Sequence, residues 1–390
     1  MAQPAFKLVV NQSFADNPSP VVETVALALS IRAIGREAWN ACYPDELEDY
    51  DYLLAIEEAG IKGFMWRYAV IREGEEVIAC MPAFLTDYNL ATTLDAGWLK
   101  NLIQHIQSRF PRFLTMKLAC LGSPMTECGT IGFHPGVREE RKAELLRRLL
   151  RYFAQETHAL DFRLTGVKDM PKRQKALWDD AALPMGFRLV PGMATAHLDI
   201  DFSSIEGYLA RLGSATRKDM RRKLKMLPEL RIERRDRLDD VLPQVHALYL
   251  DTKNRSDFAF EELTETYFSG VLRRMGGRAH CTLYYAEDKL LAANLMLADG
   301  RALLDKFFCM DSVHGRAYNL YFVSWFTNLC YCLNHGIPHY QSGQAGYGSK
   351  LRLGSRLSPN WLLFRHANPL LNGLLRLASP LLASGGESAL

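Results

Sequence analysis

Three consecutive strand patterns between residues 279 and 310 constrain the fold of this 390-residue chain more than any other feature. An Asp-Gly pair, Asp299-Gly300, separates the second pattern from the third and is a typical hairpin signal. An apolar helix pattern (residues 318–335) and a short strand pattern, IPHYQ, come next. This order predicts a mixed α/β sheet, in which an antiparallel meander continues through a helix into one further strand. The three meander patterns are AHCTLYYAE, KLLAANLMLA and RALLDKFFCM.

The residues before this meander read mainly as helices. Ser203 and Ser204 precede IEGYLARL, with Glu206 placed as in a capping box, so a short helix is predicted there. A basic helix pattern, SATRKDMRRKLKML, stops at Pro228 and leads into the strand pattern LRIERR. Two amphipathic helix patterns then lead to the glycine pair at 276–277. The second half is therefore predicted as helices, a meander, a helix and a strand.

The first half repeats this alternation more faintly, and 390 residues exceed one ordinary core. We therefore predict two domains, residues 1–190 and 191–360, followed by an apolar tail, 361–390. No linker rich in proline, serine or glycine divides the halves. The tail is interrupted by Pro369, Gly373 and Pro380, and we expect it to dock on the protein rather than to touch a membrane. The first-half patterns are DYDYLLAIEEAG, MWRYAVIRE, EEVIACMPAFLTD, FLTMKLACLG, REERKAELLRRLLRYFAQETHA and DFRLTGV.

Composition narrows the partners and the compartment. A formal charge of +3 is near neutral for this length, so an anion site has to be local. The eight cysteines lie mostly in apolar segments and form no CxxC pair, which is typical of buried thiols in a reducing cytoplasm. We see neither a secretory signal nor a run of about 18 apolar residues. The expectation is a cytoplasmic protein without a transmembrane segment.

With this order established, the second half resembles a GNAT (N-acyltransferase) domain. The whole chain, from about residue 20 to residue 370, is similar to the FemAB-like branch, in which two such domains stand in tandem. Residues 203–225 resemble the opening of that branch, where a short helix precedes a basic one. Residues 318–356, YNLYFVSWFTNLCYCLNHGIPHYQSGQAGYGSKLRLGSR, resemble its closing signature. YLLAIEEAG, VIACMPAFL and LGSP in the first half resemble its amino-terminal part less specifically.

The resemblance implies transfer of an acyl group to an amine, from either an acyl-CoA or an aminoacyl-tRNA. The modest net charge and the lack of a long inserted helical arm favour acyl-CoA as co-substrate, with no resident cofactor. Where simple acetyltransferases carry a glycine-rich pyrophosphate loop, this chain reads HGRAYNLY, without a spaced glycine pair. A non-catalytic binding protein that kept the fold is therefore a second interpretation. The predicted partners are acyl-CoA and a small amine or amino acid, with tRNA as the alternative donor.

Two groups of residues have the chemistry that acyl transfer needs. Asp305 lies inside an apolar strand pattern, where burial should raise its pKa and suit it to act as a base. Lys350 follows a glycine-rich loop and offers a point charge to a donor phosphate or to an oxyanion; we expect it to be partly exposed. Tyr347 is grouped with these two as catalytic. Gln341, Gln344 and Gly346 complete the loop as donor-binding candidates.

Two further cationic segments are candidates for binding the donor. Arg316 and Asn319 precede the apolar helix, where unpaired amides and the helix dipole favour an anion. Arg221 and Arg222 belong to the basic helix, which places cations at three- and four-residue steps on one face. No pair of histidines has a spacing that suggests zinc, so no metal site is predicted. HExxH, GxSxG and P-loop motifs are also absent from the sequence.

Overall fold

The computed structural model describes residues 22–89, 105–106, 109–110, 115–255 and 260–377. These residues form two compact units that do not follow the chain in simple halves. The first unit contains the described residues up to Glu57, those from 62 to 193 and those after Ser358. The second unit takes residues 194–358 and a short piece, Glu58–Ile61. The units meet in sequence at Met193, near the expected boundary at residue 190.

The first unit is built on an eight-stranded sheet with the order β1-β2-β3-β4-β6-β15-β7, and β5 pairs with β3. Its described pairs are antiparallel except β4 with β6, which run parallel. Its strands are β1 Glu23–Ala28, β2 Met65–Glu73, β3 Glu76–Asn89, β4 Thr115–Leu121, β5 Gly132–Phe133, β6 Leu164–Pro171, β7 Arg188–Pro191 and β15 Asn360–His366. Its helices are α1 Arg36–Cys42, α2 Tyr50–Glu58, α3 Glu139–Ala159 and α4 Lys175–Ala182.

The long helix α3 shows why this unit folds as it does. Leu145, Leu149 and Phe153 recur at a four-residue step, and all three are fully or almost fully buried against the sheet. The opposite face carries exposed charges such as Glu140 and Arg151, which is the amphipathic pattern of a helix covering a sheet. Trp178 of α4 is also fully buried in this core. Helix α3 therefore forms because its apolar stripe has a sheet to cover.

The second unit has a seven-stranded sheet with the order β14-β8-β13-β12-β11-β10-β9. Its meander, β10-β11-β12, is antiparallel, and β12 pairs with β13 in parallel through the helix between them. Its strands are β8 Thr195–Asp199, β9 Leu230–Arg235, β10 Ala279–Ala286, β11 Lys289–Ala298, β12 Ala302–Met310, β13 His339–Gly343 and β14 Arg356–Ser358. Its helices are α5 Ile205–Arg211, α6 Ser214–Lys223, α7 Leu242–Asn254, α8 Glu265–Met275, α9 Leu320–His335 and α10 Tyr347–Arg352.

Helices cover both faces of this second sheet. Trp325 and Leu329 of α9 pack into an apolar core with Tyr208 of α5 and Tyr340 of β13. On the other face, Tyr249 of α7 meets the ring of Phe307 edge-on. The predicted mixed α/β class with a meander, a helix and a parallel strand is therefore confirmed. Helix α9 begins at Leu320, two residues after the predicted start, because Asn319 adopts a left-handed backbone.

The predicted apolar tail is wrong for its first part. Residues 360–366 form strand β15, which lies between β6 and β7 in the first sheet. Leu363 of this strand is 1% exposed, and burying this apolar side chain stabilises the strand within the first sheet although it lies far from the other strands in sequence. Residues 369–377 form a helical segment, and residues 378–390 lie outside the described part of the chain. No helix among the described residues is long and apolar enough to cross a bilayer.

Candidate active site

The parallel strands β12 and β13 pair over only three residues each, and this short pairing creates the candidate site. The pairs run from Ala302 with His339 to Leu304 with Gln341, after which β12 continues as far as Met310 beside β11 but no longer beside β13. Asp305 is the first residue after the last pair. A bulge in the pairing of β12 with β11 leaves Lys306 without an opposite residue. Asp305 therefore lies where two central strands diverge, on the face that α9 covers.

The carboxylate of Asp305 is held by three side-chain donors. Its Oδ2 accepts hydrogen bonds from Asn294 Nδ2 at 3.3 Å, Asn328 Nδ2 at 3.2 Å and the Tyr340 hydroxyl at 3.0 Å. Asn328 also donates to the Tyr340 oxygen at 2.9 Å, so these residues form one network. The donors come from β11, α9 and β13, which fixes the carboxylate from three sides.

Burial raises the pKa of Asp305 above its ordinary value, and the hydrogen bonds and the nearby Lys350 charge only partly offset this effect. The residue as a whole keeps some exposure, but its carboxyl group lies within the network and has lost most of its water. Burial and the Asp305 charge together raise the pKa of Tyr321 to about 12. The Tyr321 hydroxyl and Asn294 Oδ1 are buried, and neither atom has a hydrogen-bond partner among the described residues. The predicted direction of the Asp305 pKa is therefore supported.

Lys350 does not lie on a flexible surface loop, and the expectation of partial exposure is wrong. It belongs to the short helix α10, is 6% exposed, and donates from Nζ to the carbonyl oxygens of Gly343 at 2.9 Å and Gln344 at 3.0 Å. The loop turns through left-handed conformations at Gly343, Ala345 and Gly346, which directs its carbonyls inward. Lys350 thus fastens the loop from inside, and its charge still lowers the pKa of Asp305.

The structure separates the other predicted loop residues. Gln341 follows Tyr340 on β13, so its side chain lies on the opposite face of the sheet from Asp305. Tyr347 donates its hydroxyl to the Ala194 carbonyl at 2.8 Å, and Gln344 contributes its backbone carbonyl to Lys350. Gly346 is closer to the site, because a Cβ at its position would lie 3.9 Å from the Tyr321 hydroxyl. Of the predicted loop residues, Lys350 and Gly346 thus lie nearest to Asp305.

The segment before α9 uses its backbone amides internally. Asp311 Oδ1 accepts from the amides of Val313 at 2.9 Å and His314 at 2.8 Å. The Gly315 amide donates to the Asp311 carbonyl at 3.0 Å, and the Asn319 amide donates to the Arg316 carbonyl at 3.1 Å. Arg316 is exposed, and the Asn319 side chain makes no capping hydrogen bond although it stands at the cap position. The amides of Val313, His314, Gly315 and Asn319 are therefore not available to a phosphate at this segment.

The basic helix α6 packs beside the first turn of α9, where Lys223 Nζ lies 3.4 Å from the ring centroid of Phe322. Arg221 and Arg222 are exposed as predicted, but each is already paired: Arg221 with Glu206 at 2.6 Å, and Arg222 with Asp219 at 2.7 Å. The hydrogen bond from Arg222, followed by that from Lys223, holds the pKa of Asp219 down at about 2.

Two lysines of the same segment carry a positive charge that no carboxylate among the described residues pairs with. Lys218 and Lys225 are exposed, and neither makes an ion pair with another residue in the described part of the chain. They lie on the face that carries Arg221 and Arg222, and Met220 is buried on the opposite face. The sequence pattern places these two lysines on one face with Arg221 and Arg222, and among the described residues they are the members of that face without an ion pair.

No group of three or more histidine, cysteine or acidic side chains among the described residues is arranged to hold a metal ion. All eight cysteines are free thiols, and of these Cys330 is exposed. The chemistry available at the divergence of β12 and β13 is therefore that of a carboxylate, an ammonium, amides and phenols.

The sequence analysis missed the three residues that donate to Asp305, which are Asn294, Asn328 and Tyr340, and it also missed Tyr321 nearby. Asn294 and Asn328 had a recognisable signal, because each is an amide inside an otherwise apolar segment. Both are almost completely buried, and such a residue requires a polar partner. The two tyrosines had no such signal, since a tyrosine in an apolar segment is most often simply part of the core.

In each unit, antiparallel strands lead through a helix to a parallel strand, so the chain has the fold of two GNAT-like domains in tandem. The chain belongs to the FemAB-like family, described as peptidoglycan biosynthesis/recognition, whose sequence profile matches residues 30–376. This confirms the predicted resemblance. No curated protein matches the sequence closely enough to serve as a relative.

Solved structures share this fold at low sequence identity. FemX superposes with a TM-score of 0.57 at 14% identity, covering 88% of this chain and 98% of FemX. A tandem GNAT protein from the clavulanic acid biosynthesis pathway has a TM-score of 0.52 at 12% identity, covering 88% and 99%. L-PGS from Bacillus licheniformis has a TM-score of 0.50 at 12% identity, covering 86% and 96%. The family and these folds support a transferase.

Proposed function

We propose that this chain is an N-acyltransferase whose second unit carries the acyl-transfer site, with Asp305 as the general base. The observation that carries the proposal is the buried carboxylate at the divergence of β12 and β13, held by three hydrogen bonds and raised in pKa. A structural carboxylate deep in a protein is usually paired with a cation in direct contact. Here three neutral donors hold it instead, and they offset only part of the rise in pKa that burial causes.

The reaction requires the acceptor amine to lose a proton as its nitrogen bonds to the acyl carbon. An alkylamine has a pKa near about 10, so at neutral pH a base must remove that proton. Asp305 receives the proton in this proposal, while the bond from the acyl carbon to the leaving sulfur or oxygen breaks. The Tyr321 hydroxyl keeps its proton because its pKa is about 12. It can therefore donate a hydrogen bond to the oxyanion or to the leaving atom.

Lys350 has a positioning role in this scheme rather than the direct role expected from the sequence. Its hydrogen bonds to the carbonyls of Gly343 and Gln344 hold the loop that passes beside Tyr321. Its positive charge also limits how far the Asp305 pKa rises. We assign Gly346 to the same wall, where the absence of a side chain leaves room for a donor.

The donor proposed first is an acyl-CoA, with a small amine or amino acid as the acceptor. An aminoacyl-tRNA is the second candidate, and two observations favour it. Four amides of the segment before α9, those of Val313, His314, Gly315 and Asn319, are engaged within the protein, so they do not cradle a pyrophosphate. In addition, Lys218 and Lys225 present charge without an ion pair among the described residues, on the exposed face of the basic segment whose Lys223 contacts Phe322 of α9, as a polyanion would need.

The test of the catalytic assignment is Asp305→Asn, with Asp288→Asn in an exposed turn as the matched control. We expect turnover to fall by about 10²–10⁴-fold in the first variant, the usual scale for a lost general base, and to be unchanged in the second. The wild-type rate should fall as the pH is lowered, and the fall should begin at a higher pH than for an ordinary aspartate, whose pKa is 3.8. The reason is that the raised pKa of Asp305 keeps the base protonated, and therefore inactive, at that higher pH. That acid limb should disappear in the Asn variant. An unaltered rate in Asp305→Asn would refute the assignment.

Stability provides an independent readout of the same carboxyl group. The pKa of Asp305 is higher in the folded protein than in the unfolded chain, so the protonated carboxyl group favours folding. This contribution to stability is complete at a pH below the unfolded-state pKa, and it is lost as the pH rises through the folded-state pKa. At pH 7 the ionised group therefore weakens the fold, and Asp305→Asn should melt no lower than the wild type. Thermal-shift measurements with acyl-CoAs and with charged tRNA identify the donor, since a ligand at 100 times its Kd stabilises by about 2.7 kcal/mol.

A further inference from the structure

A cavity of about 200 Å³ lies in the second unit between α9 and strands β9 and β10, on the other side of Asn328 from Asp305. Its helical wall is one face of α9, because Thr327, Cys330, Tyr331 and Asn334 recur at steps of three and four residues. This face of α9 is polar, whereas the neighbouring face, with Leu329 and Cys332, belongs to the apolar core. A polar helix face turned toward a sheet needs polar partners there.

The sheet wall supplies those partners, including one cation. Arg234 of β9 stands opposite Thr282 of β10, and both line the cavity. The Arg234 guanidinium lies 4.9 Å from the ring centroid of Tyr331, which orients it across the opening. It makes no ion pair with another described residue, and the lining contains no carboxylate. The lining therefore carries one positive charge and several polar side chains.

His280 is the second unusual feature of the lining. It is only 9% exposed and packs against Tyr331 with ring centroids 4.6 Å apart, yet neither ring nitrogen makes a hydrogen bond to another residue of the described chain. Burial, reinforced by the Arg234 charge, lowers the pKa of His280 to about 4. At neutral pH this imidazole is uncharged, with one nitrogen that donates and one that accepts. Such a buried group is expected to have a polar partner.

We propose that this cavity is a binding site for a small carboxylate. The planar fork of Arg234 matches two carboxylate oxygens, and His280 with the amide of Asn334 suits a hydroxyl or carbonyl beside them. An amino acid fits less well, because no lining carboxylate would compensate its ammonium group. The volume is below the roughly 300–1,000 Å³ of pockets for drug-sized molecules, so the ligand has only a few heavy atoms. This inference is independent of the acyl-transfer proposal.

Cys330 allows the site to be tested without any enzymatic assay. It lines the cavity and is the one exposed thiol among the eight free cysteines. Alkylation by iodoacetamide, followed by peptide mass spectrometry of the full chain, measures its accessibility. We expect acetate, glycolate or lactate to protect Cys330 saturably, while glycolamide, which lacks the charge, does not. Iodoacetate, itself a carboxylate, should alkylate Cys330 with a rate that saturates with concentration.

The matched variants are Arg234→Gln and Arg231→Gln, on the same strand but on opposite faces of the sheet. Arg231 is exposed and pairs with Glu233, away from the cavity. We expect the carboxylate concentration for half-protection to rise about tenfold or more in Arg234→Gln, the usual scale for a lost charged hydrogen bond, and to stay unchanged in Arg231→Gln. Equal melting temperatures would show that both variants fold. Protection that is not saturable, is matched by glycolamide or persists in Arg234→Gln would overturn the proposal.

Discussion

Lys350 provides the sharpest test of the site, because the structure gives it a role opposite to that of a surface lysine. The perturbation is Lys350→Met, which keeps the length of the side chain and removes the ammonium. Two hydrogen bonds from that ammonium, to the Gly343 and Gln344 carbonyls, are lost. A hydrogen bond involving a charged group contributes about 1.5–3 kcal/mol. Taking the lower value for each bond, the expected loss in the free energy of unfolding is about 3 kcal/mol.

The corresponding fall in melting temperature follows from the size of the protein. For a protein of 150–250 residues, 1 kcal/mol shifts Tm by about 2–4 °C, so we expect Lys350→Met to melt about 6–12 °C lower if the second unit unfolds cooperatively. Circular dichroism with heating, repeated as a urea titration, measures this. The control is Lys218→Met on α6, where an exposed lysine makes no ion pair with a described residue and Tm should be unchanged.

The same substitution should also move the pH profile. Lys350 lowers the pKa of Asp305, so its removal should raise that pKa further and shift the acid limb of turnover toward higher pH. Turnover at neutral pH should fall, because the loop beside Tyr321 loses its internal support. A Tm equal to that of the wild type together with an unmoved acid limb would refute the reasoning and place the Lys350 ammonium in solvent.

Two further predictions concern other parts of the chain. Replacing Lys218 and Lys225 with Gln should weaken the binding of a polyanionic donor, mostly at low salt. The slope of log affinity against log salt concentration should become shallower by about one for each lysine replaced. Arg222→Gln is the control and should change the affinity little, because Arg222 is already paired with Asp219. An equal loss at every ionic strength would exclude a steering role for α6. Leu363→Ala should lower the unfolding free energy by about 2–5 kcal/mol, because this side chain is 1% exposed in the first sheet. Leu371→Ala, 41% exposed, is the control; equal effects in a urea titration would show that β15 is not a core strand.

The sequence predicted the secondary structure of the second unit closely because its signals are local. Strand alternation, the Asp299-Gly300 turn and the glycine at 336 depend on neighbouring residues, and the structure has elements where these signals occur. The three-strand meander, the helix and the parallel strand were enough to predict the fold class. Asp305 was singled out as a candidate in the same way, since an acid within an apolar strand is conspicuous without any tertiary information.

The surroundings of Asp305 could not be predicted, because they depend on which side chains face one another across elements distant in sequence. Asn294, Asn328 and Tyr340 meet at one carboxylate only once β11, α9 and β13 are packed. The register of the strand pairing also decided that the Gln341 side chain lies on the face of the sheet opposite Asp305. A shift of this register by one residue would move every side chain of the strand to the other face.

Lys350 and β15 show the same division between local signals and tertiary packing. By itself, the sequence determined that Lys350 follows a glycine-rich turn and that residues 361–364 are apolar. Only the tertiary structure decided that the ammonium turns inward to two carbonyls and that the apolar segment inserts between β6 and β7. The physical reason is that a buried lysine needs acceptors and an apolar strand needs two neighbours, and the chain brings these partners together only when it folds.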